Sequence, residues 1–104
     1  MGFNIILTDG GRKTRDHIFD YYMNVLEDAR LAERVYNDYL RTLQDVARMA
    51  LSYQICEDKF LKTKGLRKIH FRKYNYKIFY EVRGNTAYIK AVLHDKQLPE
   101  KWLS

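Results

Sequence analysis

Gly65 divides this chain by the spacing of its apolar residues, and that change of period limits the fold more than any other feature. Beyond it, Ile69 and Phe71 alternate with Lys68, His70 and Arg72, and the same two-residue period continues through YKIFYEV and TAYIKAVLH. A period of two is that of a half-buried strand. Strands are therefore expected at Leu66 to Arg72, Tyr76 to Arg83 and Thr86 to His94, joined at Tyr74-Asn75 and at Gly84-Asn85. The second junction is a strong two-residue hairpin signal.

Before Gly65 the spacing is helical. Ile18, Tyr22, Val25 and Leu26 fall on one face of a first helix; Asn24 to Arg30 interrupts the pattern. A longer stripe then runs through Ala32, Val35, Tyr36, Tyr39, Leu40, Leu43, Val46, Ala47 and Ala50, with Arg34, Asp38, Arg41 and Asp45 placed on its solvated side. Two amphipathic helices with a short connection form an antiparallel hairpin. Phe3 to Thr8 is apolar and β-branched, and reads as a strand closed by a turn at Asp9-Gly10-Gly11. Ser52 to Gly65 has neither period and reads as a loop with an irregular helical turn; Pro99 and Trp102 lie in a short tail. The fold class is α+β: an N-terminal strand, a helical hairpin, then a three-stranded antiparallel meander forming a curved sheet packed on the helices. At 104 residues and 46% apolar composition, residues 1–104 form one domain with one core.

Two-residue turns at both junctions fix a register. Val82 would face Ala87, Tyr80 Ile89 and Ile78 Ala91, with Phe71 opposite Ile78 and Ile69 opposite Tyr80. One sheet face then carries Ile69, Phe71, Ile78, Tyr80, Val82, Ala87, Ile89, Ala91 and Leu93, and seats the hairpin. The other collects Lys68, His70, Arg72, Lys77, Phe79, Glu81, Tyr88, Lys90, Val92 and His94 as an open, partly aromatic surface.

The basic run from Lys62 to Lys77 (KTKGLRKIHFRKYNYK) holds no acidic residue, and the chain carries 19 Lys and Arg against 13 Asp and Glu, a formal charge of +6. Such a balance steers a protein toward polyanions. Charge with neighbouring rings suits phosphates and unpaired bases, so RNA is a physically reasonable ligand. Metal-free RNA cleavage needs a base for the 2′-hydroxyl proton, an acid for the leaving oxygen and cations for the phosphate. His94 and His70 are the candidates for proton transfer, with Lys68, Arg72 and Lys77 as the cations. The same bases also serve simply to solvate a sheet face and discourage edge pairing. Cys56, the lone cysteine, excludes an internal disulfide and any cysteine-based zinc cluster, and reads as a small buried hydrophobe. No metal site or cofactor is expected. Phe3 to Leu7 is too short for a secretory signal, and no run approaches the ~18 apolar residues of a membrane span. A reduced, cytoplasmic setting is the expectation.

The order of these segments, FNIILT, then DARLAERVYNDYLRTL, then HFRKYNYKIFYEVRGNTAYIKAVLHDKQLPE, resembles the RelE/ParE superfamily, the toxins of type II toxin-antitoxin modules. The resemblance spans nearly the whole chain. It implies a growth-inhibiting protein bound by a cognate antitoxin whose extended segment wraps it, with operator DNA reached through the antitoxin complex. RelE-like members cleave messenger RNA on the ribosome; ParE-like members share the fold and inhibit DNA gyrase. In the ribonucleases the corresponding bases fall here at Lys68 and His70, with a further one at Arg72. An arginine of their pattern is replaced by Lys77, which keeps charge and loses the bidentate fork. A later arginine falls near Asp95 or Lys96, and their C-terminal tyrosine has only Trp102 as a counterpart. The VLHDKQLPE ending is similar to that of ParE-like toxins and favours the gyrase branch. For that branch Lys68, Arg72, Lys77, Lys90, Lys96 and Trp102 are the candidate target-binding residues, with the hairpin and the tail from Lys96 to Trp102 foremost. A degenerate relative that binds antitoxin without poisoning anything is the third alternative.

Overall fold

The structure, a computed structural model, describes residues 2–103. Strand β1 (Asn4–Leu7) leads through Thr8 directly into helix α1 (Asp9–Asp20), so Asp9-Gly10-Gly11 is the first helical turn and not the expected loop. Thr8 caps the helix: its Oγ accepts from the Gly11 N–H at 3.2 Å and donates to the Ile89 carbonyl at 2.8 Å. The glycines answer to proximity. A Cβ on Gly11 would lie 2.3 Å from the Ile89 oxygen, and one on Gly10 2.8 Å from that of Lys90, so only a bare backbone lets α1 lie this close to the sheet. One turn on, buried Thr14 accepts the Val92 N–H at 2.9 Å and donates to the Gly10 carbonyl at 2.7 Å.

α1 widens into a π-helical turn at Tyr21–Val25, and Asp28 caps α2 (Ala29–Met49) by accepting the Leu31 N–H at 3.0 Å. Ile18 enters the core as expected, but Val25 and Leu26 do not, being 64% and 45% exposed at the hairpin tip. The π turn rotates them off the buried face. Along α2, Ala32, Val35, Tyr39 and Val46 are buried, as is Ala50 just past its end, while Tyr36 and Leu40 of the stripe are exposed.

Asp38 and Asp45 depart from the expected solvated side: both are buried. Seven residues apart, they share a helix face, and each holds the loop between β2 (Arg67–His70) and β3 (Tyr76–Arg83). Asp38 Oδ2 accepts the N–H groups of Lys73 and Tyr74, both at 3.0 Å. Asp45 receives the guanidinium of Arg72 at 2.8–3.2 Å and that of Arg48 at 2.7 Å. Periodicity missed these carboxylates because what makes their burial tolerable is a loop distant in sequence.

That loop also sets the register. The Phe71 N–H reaches the Tyr76 carbonyl at 2.9 Å, leaving Arg72 to Asn75 as a four-residue connection in place of a two-residue turn. Ile69 therefore pairs with Ile78 and Arg67 with Tyr80. The slip from expectation is two residues, so parity survives and Ile69 and Phe71 remain in the core.

β4 (Thr86–His94) completes the sheet, which runs β1-β4-β3-β2 with β1 parallel to β4 and the remaining pairs antiparallel. Gly84-Asn85 makes the expected turn, with Val82 opposite Ala87 and Tyr80 opposite Ile89. A bulge then inserts Lys90, so that Phe79 pairs with Ala91, Ile78 with Val92 and Tyr76 with His94. Beyond the bulge the faces exchange. Val92 joins the helix-side core with Ile18, Val35, Tyr39, Val46, Ile78, Tyr80 and Ile89. Ala91 and Leu93 join Phe79, Cys56, Leu61 and Leu66 in a second buried cluster on the opposite face. Short helix α3 (Lys59–Thr63), capped by Asp58, contributes Leu61 to it, and Leu103 of α4 (Pro99–Leu103) packs on its edge. The chain thus has two cores where composition suggested one, and each fully buried Ile, Leu, Phe or Val contributes about 1.5–3 kcal/mol.

Candidate functional site

The bulge and the anchored loop redistribute the bases that alternation had gathered on one face. Lys68, His70 and Lys77 do lie together: His70 pairs with Lys77 across the strands, and Asp95 sits between them at 4.0 Å from His70 Nδ1 and 3.9 Å from Lys77 Nζ. Lys68 and His70 are exposed and Lys77 is half-buried. Lys90 stays on this side, with Nζ 3.5 Å from Glu81.

Arg72 and His94 do not join them. Arg72 turns to α2, where its fork is spent on Asp45. Burial raises the pKa of the Asp45 carboxyl, but hydrogen bonds from Arg72 and Arg48 outweigh it and hold the group below the usual carboxylate range. His94, opposite Tyr76, projects to the helix side, its ring 5.1 Å from that of Tyr76 and at 90° to it. There it borders His17, Ile18, Tyr21 and Tyr22. His17 is exposed on α1. The aromatic character of the outer face is reduced as well, because Phe79 is covered by Leu61, Leu66 and their neighbours. The expectation of an open surface uniting Lys68, His70, Arg72, Lys77, Lys90 and His94 is therefore corrected: exposed Lys68 and His70 and half-buried Lys77 remain grouped, with Lys90 on the same side, and Asp95 sits between His70 and Lys77.

Cys56 is buried, and burial pushes its thiol above the ordinary value, in keeping with a packing role. Among the described residues no group of three or more His, Cys, Asp or Glu could hold a metal ion. Among the same described residues no helix is long and apolar enough to cross a membrane.

Two further surfaces are available. On the hairpin, Phe19, Met23, Ala29, Ala32 and Tyr36 line an apolar groove of about 560 Å³, rimmed by Arg15, Asp16 and Glu33. It continues into the exposed tip, where Tyr21, Met23, Val25 and Leu26 are all open to solvent. At the C-terminus Lys96 is exposed, Leu98 is 54% exposed and Trp102 lies 6.2 Å from the His17 ring. The groove escaped sequence reading because helical periodicity marks Tyr36 and Leu40 as core; an apolar stripe wider than its partner surface was the available signal.

A family description, the ParE toxin of type II toxin-antitoxin system, parDE, matches residues 5–99. The chain belongs to the ParE toxin family. Its fold is similar to that of a solved chain from the chromosomal ParDE toxin-antitoxin system of P. aeruginosa, with a TM-score of 0.72 over 88% of this chain and 95% of that one. At 17% identity this likeness speaks for the fold alone. No curated protein matches the chain. Membership of the ParE family agrees with the resemblance carried by the segment order, and the match spans β1 through the start of α4, so both cores and the hairpin fall within the family's domain.

Proposed function

We propose that this ParE-family protein is a growth-inhibiting toxin of the cytoplasm that acts by binding, with DNA gyrase as its target. The hairpin tip and the tail from Lys96 to Trp102 are its contact surfaces. The observation that carries this reading is the scattering of the nuclease set. His94 faces α1, Arg72 is bonded to Asp45, and of the remaining Lys68, His70 and Lys77 the last two flank Asp95, whose negative charge repels a scissile phosphate. A general acid and base acting on one phosphate must both reach it, and two histidines on opposite sheet faces do not. Exposed apolar side chains at the hairpin tip are, in contrast, what a protein-binding surface requires. A cognate antitoxin is the physiological partner, masking apolar surface until release, and operator DNA is reached through that complex.

Growth arrest on expression of the chain alone tests the reading. Alanine at His94 and Lys77 should leave arrest intact, whereas Met23→Glu with Tyr36→Asp should abolish it while the protein remains folded by circular dichroism. Unimpaired growth with the unsubstituted chain would instead support the non-toxic, antitoxin-binding alternative. Ribosome-dependent messenger RNA cleavage is favoured by one observation, the proximity of Lys68, His70 and Lys77. Loss of arrest on alanine substitution of these three, with accumulation of cleaved messenger RNA by the unsubstituted protein, would establish it.

A further inference from the structure

The cup into which the bulge turns His94 lies between the two contact surfaces proposed above, sharing Tyr21 with the hairpin tip and Gln97 with the tail. It is bounded by His17, Ile18, Tyr21, Tyr22, Tyr76, His94 and Gln97 and encloses about 330 Å³, the lower end of the range that holds small ligands. The hydrogen bonds around it leave a consistent remainder. His94 Nδ1 accepts the Lys96 N–H at 3.1 Å, so the neutral ring carries its proton on Nε2. Gln97 Oε1 accepts the His94 N–H at 2.7 Å, which leaves the side-chain amide NH2 as the free end. The Tyr22 and Tyr76 hydroxyls lie 2.9 Å apart; whichever donates, the other keeps a proton to give. Burial, then the bond to Tyr22, push the Tyr76 hydroxyl above the usual tyrosine value, so it stays protonated.

Each of these unspent groups can donate a proton, and no carboxylate lines the cup. The walls are rings: Tyr21, Tyr22, Tyr76, His94 and His17, with Ile18 the one aliphatic side chain. We infer that this cup binds a small ligand bearing an oxyanion, carboxylate or phosphate, on a flat ring. The oxyanion takes the protons of His94 Nε2, the Gln97 amide and the tyrosine pair, and the ring lies against the aromatic wall. Charge-assisted hydrogen bonds from several fixed donors favour the anionic form, and the ring gains contact with aromatic faces.

Phenyl phosphate, benzoate and phenol, titrated into the full-length protein, separate the parts of this inference. Histidine ring resonances followed by NMR should show phenyl phosphate or benzoate shifting His94 and His17 saturably, with His70, on the other face, unmoved. Whichever of the two binds identifies the oxyanion. Gln97→Glu keeps an oxygen for the His94 N–H but replaces the free donor by a negative charge, and should weaken binding at least about tenfold. Tyr76→Phe keeps the ring and should weaken binding less. No saturable shift below about 10 mM, phenol binding as tightly as the anions, or undiminished binding by the Gln97→Glu protein would each overturn the assignment.

Discussion

Gly11 looks like a turn residue in the sequence and is a contact residue in the fold. Alanine there would place its Cβ 2.3 Å from the Ile89 carbonyl oxygen, an atom fixed in the sheet, so α1 would have to lift away from β4. We expect Gly11→Ala to destabilise the protein by about 2 kcal/mol or more, read as a lowered midpoint in urea denaturation. Glu27 presents the reverse case. It adopts φ of 51° in the link between the helices, a left-handed conformation that is unfavourable for a residue with a side chain. Glu27→Gly should therefore stabilise by about 0.5–1 kcal/mol in the same assay. Neither position was legible from residue type alone: a glycine does not declare whether it serves its own backbone or a neighbour's. Gly84 was legible, because Gly84-Asn85 sits between two alternating segments and makes the turn that their spacing demands, with φ of 60°.

Elements were read well where apolar period and local turn chemistry agreed, and missed where distant polar groups decided. The second helix, the third and fourth strands and the turn between them follow from spacing. The shortened β2 does not, because Asp38 and Asp45 draw Arg72 to Asn75 onto α2. The bulge at Lys90 leaves only one trace in the sequence, the apolar run Ala91-Val92-Leu93 that breaks the alternation, and the pairing is what reveals that the faces are exchanged there. That single residue moved His94 away from Lys68, His70 and Lys77, and so decided how much of the candidate site was legible. The loop anchor makes a pH prediction. Asp45 has a folded-state pKa lowered mainly by Arg72 and Arg48 against the opposing effect of burial. The stabilisation is thus fully present above the unfolded carboxylate value near ~4, and is lost as pH falls through the lower folded value. Urea denaturation between neutral pH and about pH 3 should show the unsubstituted protein losing more stability than Arg72→Ala, which has already lost part of the interaction. Equal losses would show that the pair is not coupled to folding.

At the scale of the molecule, two cores on opposite sides of one sheet leave little of that sheet open. Leu61, Leu66 and their neighbours cover the outer face, α1 and α2 cover the inner one, and exposed apolar side chains stand at the hairpin tip and the C-terminal tail, as they do at Met49, Leu51 and Ile55. Family and architecture were readable from segment order, and the family match over residues 5–99 agrees with them. The distribution of bases was not, since it depends on a bulge and on two buried carboxylates. The reading that results is of a protein acting through surfaces rather than through a catalytic constellation. Supercoiling of relaxed plasmid by purified gyrase tests it most directly, with the unsubstituted protein beside a Lys68→Ala, His70→Ala, Lys77→Ala variant. Inhibition by both is the expected result; uninhibited supercoiling by gyrase, together with cleavage of ribosome-bound messenger RNA that the triple variant has lost, would contradict it.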